Sequence, residues 1–150
     1  MIAALANAAT AFDQPEWLAA AEAAFDFVLM RMRLATRLIH SYREGPGNAP
    51  ATASDYANMI RAALALANAT NNPEYVEQAC AWTHVLDTHY WAEDLGGYYL
   101  AADDTNDILV RPLNGNDDAT PNANAMMVSN LVALSSWTGT VTYTDRADET

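Results

Sequence analysis

The chain of 150 residues contains no lysine, and its seven basic residues are all arginine. The chain also contains 19 aspartate and glutamate residues, so its formal net charge is −12. Binding to nucleic acid or to an anionic membrane requires a basic face that attracts phosphate groups. The composition therefore excludes nucleic acid and membranes from the expected partners.

Cysteine and long apolar runs are also scarce. The single cysteine, Cys80, allows no internal disulfide, which fits a reducing compartment. The sequence has no run of about 20 apolar residues that would span a bilayer. Residues 1–12 are apolar but lack the basic start of a signal peptide. We therefore expect a cytoplasmic protein, and we take residues 1–150 as a single helical-hairpin-repeat domain.

A short motif occurs twice and predicts the architecture. Asp13-Gln-Pro-Glu-Trp17 returns 58 positions later as Asn71-Asn-Pro-Glu-Tyr75, and a weaker copy lies at 140–143. Proline favours the first turn of a helix, and each full copy separates two helical runs. We expect Asp13 and Asn71 to be N-caps of the helices that follow, each in a capping box with the glutamate three residues on. The chain is thus predicted to be a row of helical hairpins.

Periodicity and capping signals extend this prediction along the chain. Predicted helices cover 2–12, 14–33, 55–70, 73–90, 121–138 and the residues from 142 onward. Ser54 and Thr120 are the expected N-caps of the third and fifth helices. The fifth helix is apolar nearly all round, which indicates an inner, buried position. Residues 37–43 predict a strand, and 98–101 with 108–110 predict a β-hairpin that has an acidic tip.

The two ends of such a row differ in their connections. The short Pro-Glu corners lie at one end, and the long connections 34–54 and 91–120 lie at the other, which we call the rim. Functional residues concentrate on long loops that a rigid scaffold supports. The rim, over the N-termini of the third and fifth helices, is therefore the expected functional surface.

Several segments, taken in order, resemble one known family. They are 1–6 (MIAALA), 40–43 (HSYR), 55–57 (DYA), 91–100 (WAEDLGGYYL), 110–112 (VRP) and 119–121 (ATP) with Asn124. They are similar to the C-terminal region of thioredoxin-domain-containing proteins of the spermatogenesis-associated, thioredoxin-like kind. That resemblance implies the (α/α)6 toroid of six-hairpin glycosidases, which N-acylglucosamine 2-epimerases share. The expected fold class is therefore all-α, with about three antiparallel helical hairpins, half of such a toroid, and a small β-hairpin insert.

Two features depart from that family. The thioredoxin-like portion with its redox cysteines is absent, and about three hairpins cannot close a six-hairpin ring. Either the chain is part of a longer protein or two chains complete the ring. Because an inner helix as apolar as 121–138 is unsuited to water, we expect a homodimer that forms through the inner helices.

The leading candidates for catalysis are two rim residues, His40 and Asp55. His40 is the best acid/base candidate because an imidazole titrates near neutral pH, and His89 is the second. The toroid epimerases that this fold resembles use paired histidines to move a proton beside a carbonyl. Asp55, at the start of the third helix, is a carboxylate of the kind that acts on glycosidic bonds in pairs. The alternatives are a structural histidine and a carboxylate that caps its helix.

The aromatic residues of the rim indicate a sugar. Tyr42, Tyr56 and Trp91 are predicted to bind substrate, since flat amphipathic rings pack against the apolar C–H faces of carbohydrates. Arg111 and Asn124 match the family pattern and are expected to bind sugar hydroxyls. The alternative is that the aromatic residues pack the insert against the helices.

No metal or other cofactor is expected. An HExxH motif is absent, and His84 and His89 point to different faces of one helix. The acidic segment 103–107 is followed by Ile108, where a calcium loop needs glycine. The expected function is therefore binding or modification of a small-molecule sugar, as an epimerase or a glycosidase performs it. The second hypothesis is a non-catalytic interaction or structural module derived from a thioredoxin-fused protein.

Overall fold

The structure is a computed structural model that describes residues 1–106, 108–117 and 120–150. Within these residues, six α-helices and one two-stranded sheet follow one another along the chain. The elements are α1 (Ile2–Phe12), α2 (Pro15–Arg31), β1 (Arg33–Leu34), β2 (Arg37–Leu38), α3 (Ala53–Thr70), α4 (Pro73–His89), α5 (Ala123–Thr138) and α6 (Thr142–Glu149).

Successive helices pack in pairs, α1 with α2, α3 with α4 and α5 with α6. Between the pairs, α3 packs against both α1 and α5, so that these three helices form an inner row. The predicted all-α array of three antiparallel hairpins with a small β-hairpin insert is confirmed. In the part of the chain that the structure describes, no helix combines the length and the apolar character that crossing a membrane requires.

The repeated corner closes the first two hairpins, although its residues act differently from the prediction. Asp13 and Asn71 have left-handed backbone conformations, with φ of 52° and 56°. Their N–H groups donate to carbonyls in the last turn of α1 and of α3, so the two residues end these helices. Their predicted role as N-caps is wrong, because aspartate and asparagine also tolerate the left-handed conformation that closes a helix.

The third corner repeats this geometry. Gly139 lies 68 positions after Asn71 in the sequence, has a φ of 71° and ends α5. The N-cap of α4 is Asn72, whose side chain accepts the Glu74 N–H at 3.0 Å. Gln14, at the same position before α2, makes no such bond. A left-handed residue at the same register is therefore what the three corners share.

The inner helices begin at caps other than the predicted ones. Thr52 caps α3 in a reciprocal capping box with Asp55. Asn122 caps α5, since its side chain accepts the N–H of the residue three positions on at 2.8 Å. The predicted caps Ser54 and Thr120 are wrong, because each stands two residues away from the side chain that reaches the free N–H group.

The β-structure is smaller than predicted and lies elsewhere. β1 and β2 pair antiparallel, with Arg33 opposite Leu38, so only the start of the predicted strand 37–43 belongs to a strand. The hairpin predicted from 98–101 and 108–110 is wrong for the described residues. Its tip includes residue 107, which lies outside them.

The backbone of the second connection has other partners. Tyr99 donates its N–H to the Tyr90 carbonyl at 2.8 Å, and it bridges to Leu113. The Leu100 N–H donates to the Pro112 carbonyl at 2.8 Å. The backbone N–H groups of Tyr99 and Leu100 are thus paired with residues 90 and 112. Residues 98–101 therefore do not pair with a strand at 108–110.

The core is centred on α3 and on aromatic contacts between α2 and α4. The Phe25 ring lies 5.6 Å from Trp82 and 5.2 Å from Tyr75, measured between ring centroids. In α5, Val132 and Trp137 remain 48% and 40% exposed. The predicted inner, buried position of α5 is therefore only partly met within one chain.

The two long connections meet at the rim. The Leu100 carbonyl accepts the N–H of Ala53, at the start of α3, at 2.9 Å. The Tyr90 hydroxyl donates to the Ala51 carbonyl at 2.6 Å. The rim is therefore one surface in which the second connection supports the N-terminus of α3.

The shared corner geometry makes Asn71 a test of the fold. We expect Asn71→Ala to lower the free energy of unfolding by about 1 kcal/mol, because alanine is strained at this φ. Asn71→Gly should change it by only a few tenths of a kcal/mol, since glycine adopts the same φ without strain. Urea unfolding of both variants measures the difference. Equal losses in the two would contradict the left-handed assignment.

Candidate functional site

The structure brings together the two residues predicted to be catalytic. His40 follows β2, and Asp55 lies in the first turn of α3. The Nδ1 atom of His40 is 2.8 Å from Oδ2 of Asp55. The His40 side chain is 54% exposed and the Asp55 side chain 31% exposed, so a solute can reach the pair.

The start of α3 holds Asp55 in place. Its Oδ2 atom accepts the Thr52 N–H at 2.7 Å and the Thr52 hydroxyl at 2.8 Å. The backbone of His40 is held separately, since its N–H donates to the Ala49 carbonyl at 3.0 Å. One oxygen of this carboxylate therefore caps the helix, which is the alternative role of Asp55, and also contacts the imidazole of His40.

The pair changes the acidity of the imidazole. The hydrogen bond to Asp55, together with the negative charge of that carboxylate, raises the pKa of His40 above its ordinary value of 6.5. A larger fraction of His40 is therefore protonated at neutral pH than of a free imidazole. Because Nδ1 faces Asp55, Nε2 is the nitrogen left to donate a proton to a ligand or to accept one.

The pair opens onto a groove along α3. A cavity of about 170 Å³ is lined by both residues together with Asn58 and Met59. Asn58 and Met59 also line a second cavity of about 300 Å³, which Arg61 borders. Arg61 in turn lines a third cavity of about 460 Å³ between α1, α3 and α5. Each cavity shares lining residues of α3 with the next, and together the three are called the inner groove.

Tyr56, a predicted substrate-binding residue, is fully buried. Its hydroxyl accepts the Leu38 N–H at 2.9 Å, and its ring meets Tyr90 edge to face at 5.6 Å. Burial raises the pKa of the Tyr56 hydroxyl. In this structure Tyr56 joins the β-hairpin to the core.

Asn124 and Arg111 hold the second connection together. Asn124 is 8% exposed, and its side chain accepts the Tyr98 N–H at 2.7 Å and donates to the Tyr98 carbonyl at 3.3 Å. Arg111 donates to the carbonyls of Ala101 at 2.9 Å and His89 at 2.8 Å. The side chains of Asn124 and Arg111 therefore form hydrogen bonds with the backbone of the second connection and of His89.

The other two predicted sugar-binding residues pack against aromatic or cationic neighbours. Trp91 meets Tyr98 edge to face at 5.2 Å, and the Arg146 guanidinium lies 3.9 Å from the centroid of the Trp91 ring. Tyr42 meets Phe27 of α2 edge to face at 5.3 Å. In the described part of the chain, no hydrogen bond ties either residue to the His40–Asp55 pair. This arrangement matches the packing alternative.

Sequence reasoning missed the residues that continue the site along α3. Asn58 and Met59 follow Asp55 by three and four positions, which is the spacing of one helix face. Thr52 precedes Asp55 by three positions, which is capping-box spacing with a shorter acid than the usual glutamate. From these two spacings, the sequence alone predicts that Thr52, Asn58 and Met59 lie beside Asp55.

The sequence comparisons give similarity over part of the chain. No family model matches. An uncharacterized protein of Caenorhabditis elegans is 30% identical over 84 residues, which are 56% of this chain and 11% of that protein. Spermatogenesis-associated protein 20 of Rattus norvegicus and of Mus musculus is 30% identical over 93 residues, which are 61% of this chain and 12% of each relative. The expected resemblance to the spermatogenesis-associated family is confirmed. The matched part of this chain corresponds to about an eighth of the length of these relatives.

A solved structure supports the fold over nearly the full chain. Cellobiose 2-epimerase from Spirochaeta thermophila matches with a TM-score of 0.74 and 20% identity, over 99% of this chain and 39% of that chain. At this identity the match establishes the fold alone. The chain therefore has the architecture of part of an α/α toroid, as expected.

The raised pKa of His40 predicts a pH-dependent contribution to stability. The protonated pair stabilises the fold fully below pH 6.5, the unfolded value, and this contribution is lost as the pH rises through the raised folded-state pKa. His40→Asn should therefore cost more stability at about pH 5.5 than at about pH 8.5, by less than about 1 kcal/mol because the pair is exposed. Urea unfolding at both pH values measures this.

The control for that experiment is the same substitution in an Asp55→Asn background. Without the carboxylate, the cost of His40→Asn should no longer depend on pH in this range. An unchanged pH dependence in that background would contradict the assignment of the raised pKa to Asp55.

Proposed function

We propose that this chain binds a small carbohydrate at the rim end of the inner groove, beside His40 and Asp55. The observation that carries the proposal is the His40–Asp55 pair, which is accessible and opens onto cavities along an inner helix. The matching fold belongs to a protein named for its action on cellobiose, which supports a carbohydrate over other small molecules. The proposal takes residues 1–150 as one domain that acts in the cytoplasm.

The lining of the groove suits a sugar. Leu38, Ile39 and Met59 offer apolar contact to C–H faces, while Asn58 and Arg61 offer donors to hydroxyl groups. Two of the three cavities, of about 300 Å³ and about 460 Å³, lie in the range of small-molecule sites, and the cavity beside the pair adds about 170 Å³. This set of groups would hold a sugar by one polar edge and one apolar face.

His40 is the group proposed to move a proton. With Nδ1 held by Asp55, its Nε2 atom would remove a proton beside a sugar carbonyl, or donate one to a glycosidic oxygen. Asp55 would fix the ring and stabilise the imidazolium form, as a carboxylate does for a general base. The proposal covers both sugar binding and sugar modification. Conversion of a bound sugar into a product would distinguish modification from binding alone.

The second candidate function is a non-catalytic interaction module. Exposed apolar residues outside the groove favour it, with Leu109 fully exposed and Val110 77% exposed in the second connection. Val132 and Trp137 leave part of inner helix α5 uncovered. We also propose that a second copy of this chain covers the inner helices, as a ring of such hairpins would require.

Sugar binding at the pair is tested by thermal unfolding with mono- and disaccharides. A sugar present at about ten times its Kd stabilises a protein by about 1.4 kcal/mol, which raises Tm by about 3–6 °C for a chain of this size. We expect His40→Ala and Asp55→Asn to abolish the rise. His84→Ala is the matched control, because His84 is an exposed histidine on the outer helix α4.

The comparison of variants decides the outcome. The rise should persist in His84→Ala. No rise across a broad sugar panel at millimolar concentration would refute the proposal, and so would an equal rise in His40→Ala and the native chain.

A further inference from the structure

A second cluster of ligand-type side chains lies where α4 ends. His89 is the last residue of α4, and Asp103 and Asp104 lie in the connection that follows. One potential ligand atom from each of the three lies within 4.8 Å of the others. Nδ1 of His89 is 3.0 Å from Oδ1 of Asp103. Asp103 follows His89 by 14 positions, so no short sequence motif predicts this cluster.

The backbone holds the two segments of the cluster together. The Asp103 N–H donates to the His89 carbonyl at 2.8 Å. Arg111 clamps both sides, since it donates to that same carbonyl at 2.8 Å and to the Ala101 carbonyl at 2.9 Å. The ligand-type side chains therefore project from a pre-formed scaffold, which lowers the entropy cost of gathering them around an ion.

An ion can reach the cluster without any opening of the fold. The side chains of Asp103 and Asp104 are each 53% exposed, and that of His89 is 31% exposed. Arg37 pairs with Asp104, so one of the two carboxylate charges already has a cationic partner. An entering dication would share Asp104 with this guanidinium, and this places the affinity below that of a closed structural site.

We propose that His89, Asp103 and Asp104 bind one divalent transition-metal ion, with Zn²⁺ preferred. An imidazole nitrogen with two carboxylate oxygens suits Zn²⁺ and, more weakly, Mn²⁺, whereas Ca²⁺ and Mg²⁺ favour sites made wholly of oxygen. Three protein ligands on an exposed edge leave at least one coordination position to water. This site is separate from the proposed sugar site and does not depend on it.

Calorimetric titration of the full chain with ZnCl₂, and separately with MnCl₂ and CaCl₂, tests the proposal. We expect one Zn²⁺ per chain, bound at least about tenfold more tightly than Ca²⁺ because of the imidazole ligand. His89→Asn and Asp103→Asn should each weaken Zn²⁺ binding by at least about tenfold, since each removes a metal ligand. Circular dichroism verifies that each variant is folded.

Two controls keep the result specific. His84→Asn, on the same helix, should bind Zn²⁺ as the native chain does, and so should Cys80→Ser, which removes the single thiol. The proposal is overturned if the folded native chain binds no Zn²⁺, or if His89→Asn binds it unchanged. Equal affinities for Ca²⁺ and Zn²⁺ would also overturn it, because exposed acidic groups alone would account for them.

Discussion

The burial of α3 is the constraint on which the rest of the structure depends. This helix packs against α1, α2, α4 and α5, and alanine occupies many of its contact positions, which lets the neighbouring helices approach closely. A helix buried to this degree must satisfy the free N–H groups at its start. Thr52 and Asp55 do so, and the same carboxylate orients His40. The candidate sugar site is therefore a consequence of how the central helix begins.

How much of the fold the sequence predicts depends on how local each signal is. The hairpins were predictable because the corner at Asp13 recurs at Asn71 and because helix periodicity is a short-range property. The predicted caps lie one or two residues from the observed ones, since aspartate, asparagine, serine and threonine suit several positions around a helix end. The β-hairpin predicted from 98–101 and 108–110 is wrong for the described residues, because 98–101 are held by the side chain of Asn124 and by the Tyr90 carbonyl, contacts that only the tertiary fold supplies.

The same distinction applies to the candidate site. The chemistry of His40 and Asp55 and their place at the rim predict a site, and the structure brings the two residues within hydrogen-bond distance. Tyr56 is predicted from its chemistry and Asn124 from the family resemblance, but both are buried with backbone partners from distant parts of the chain. Whether a polar side chain faces a ligand or the core depends on such long-range contacts. No spacing of residues in a single sequence predicts these contacts.

The inner row of helices leaves apolar side chains exposed in a single chain. Val132 and Trp137 of α5, at 48% and 40% exposure, and Phe12 at the end of α1, at 68%, remain open to water in one chain. Light scattering at micromolar concentration and near-physiological salt, where repulsion between the acidic chains is screened, measures the solution mass directly. We predict the mass of two chains, with two sets of three hairpins completing a ring around the inner groove. The mass of one chain would contradict closure of the ring by a second copy.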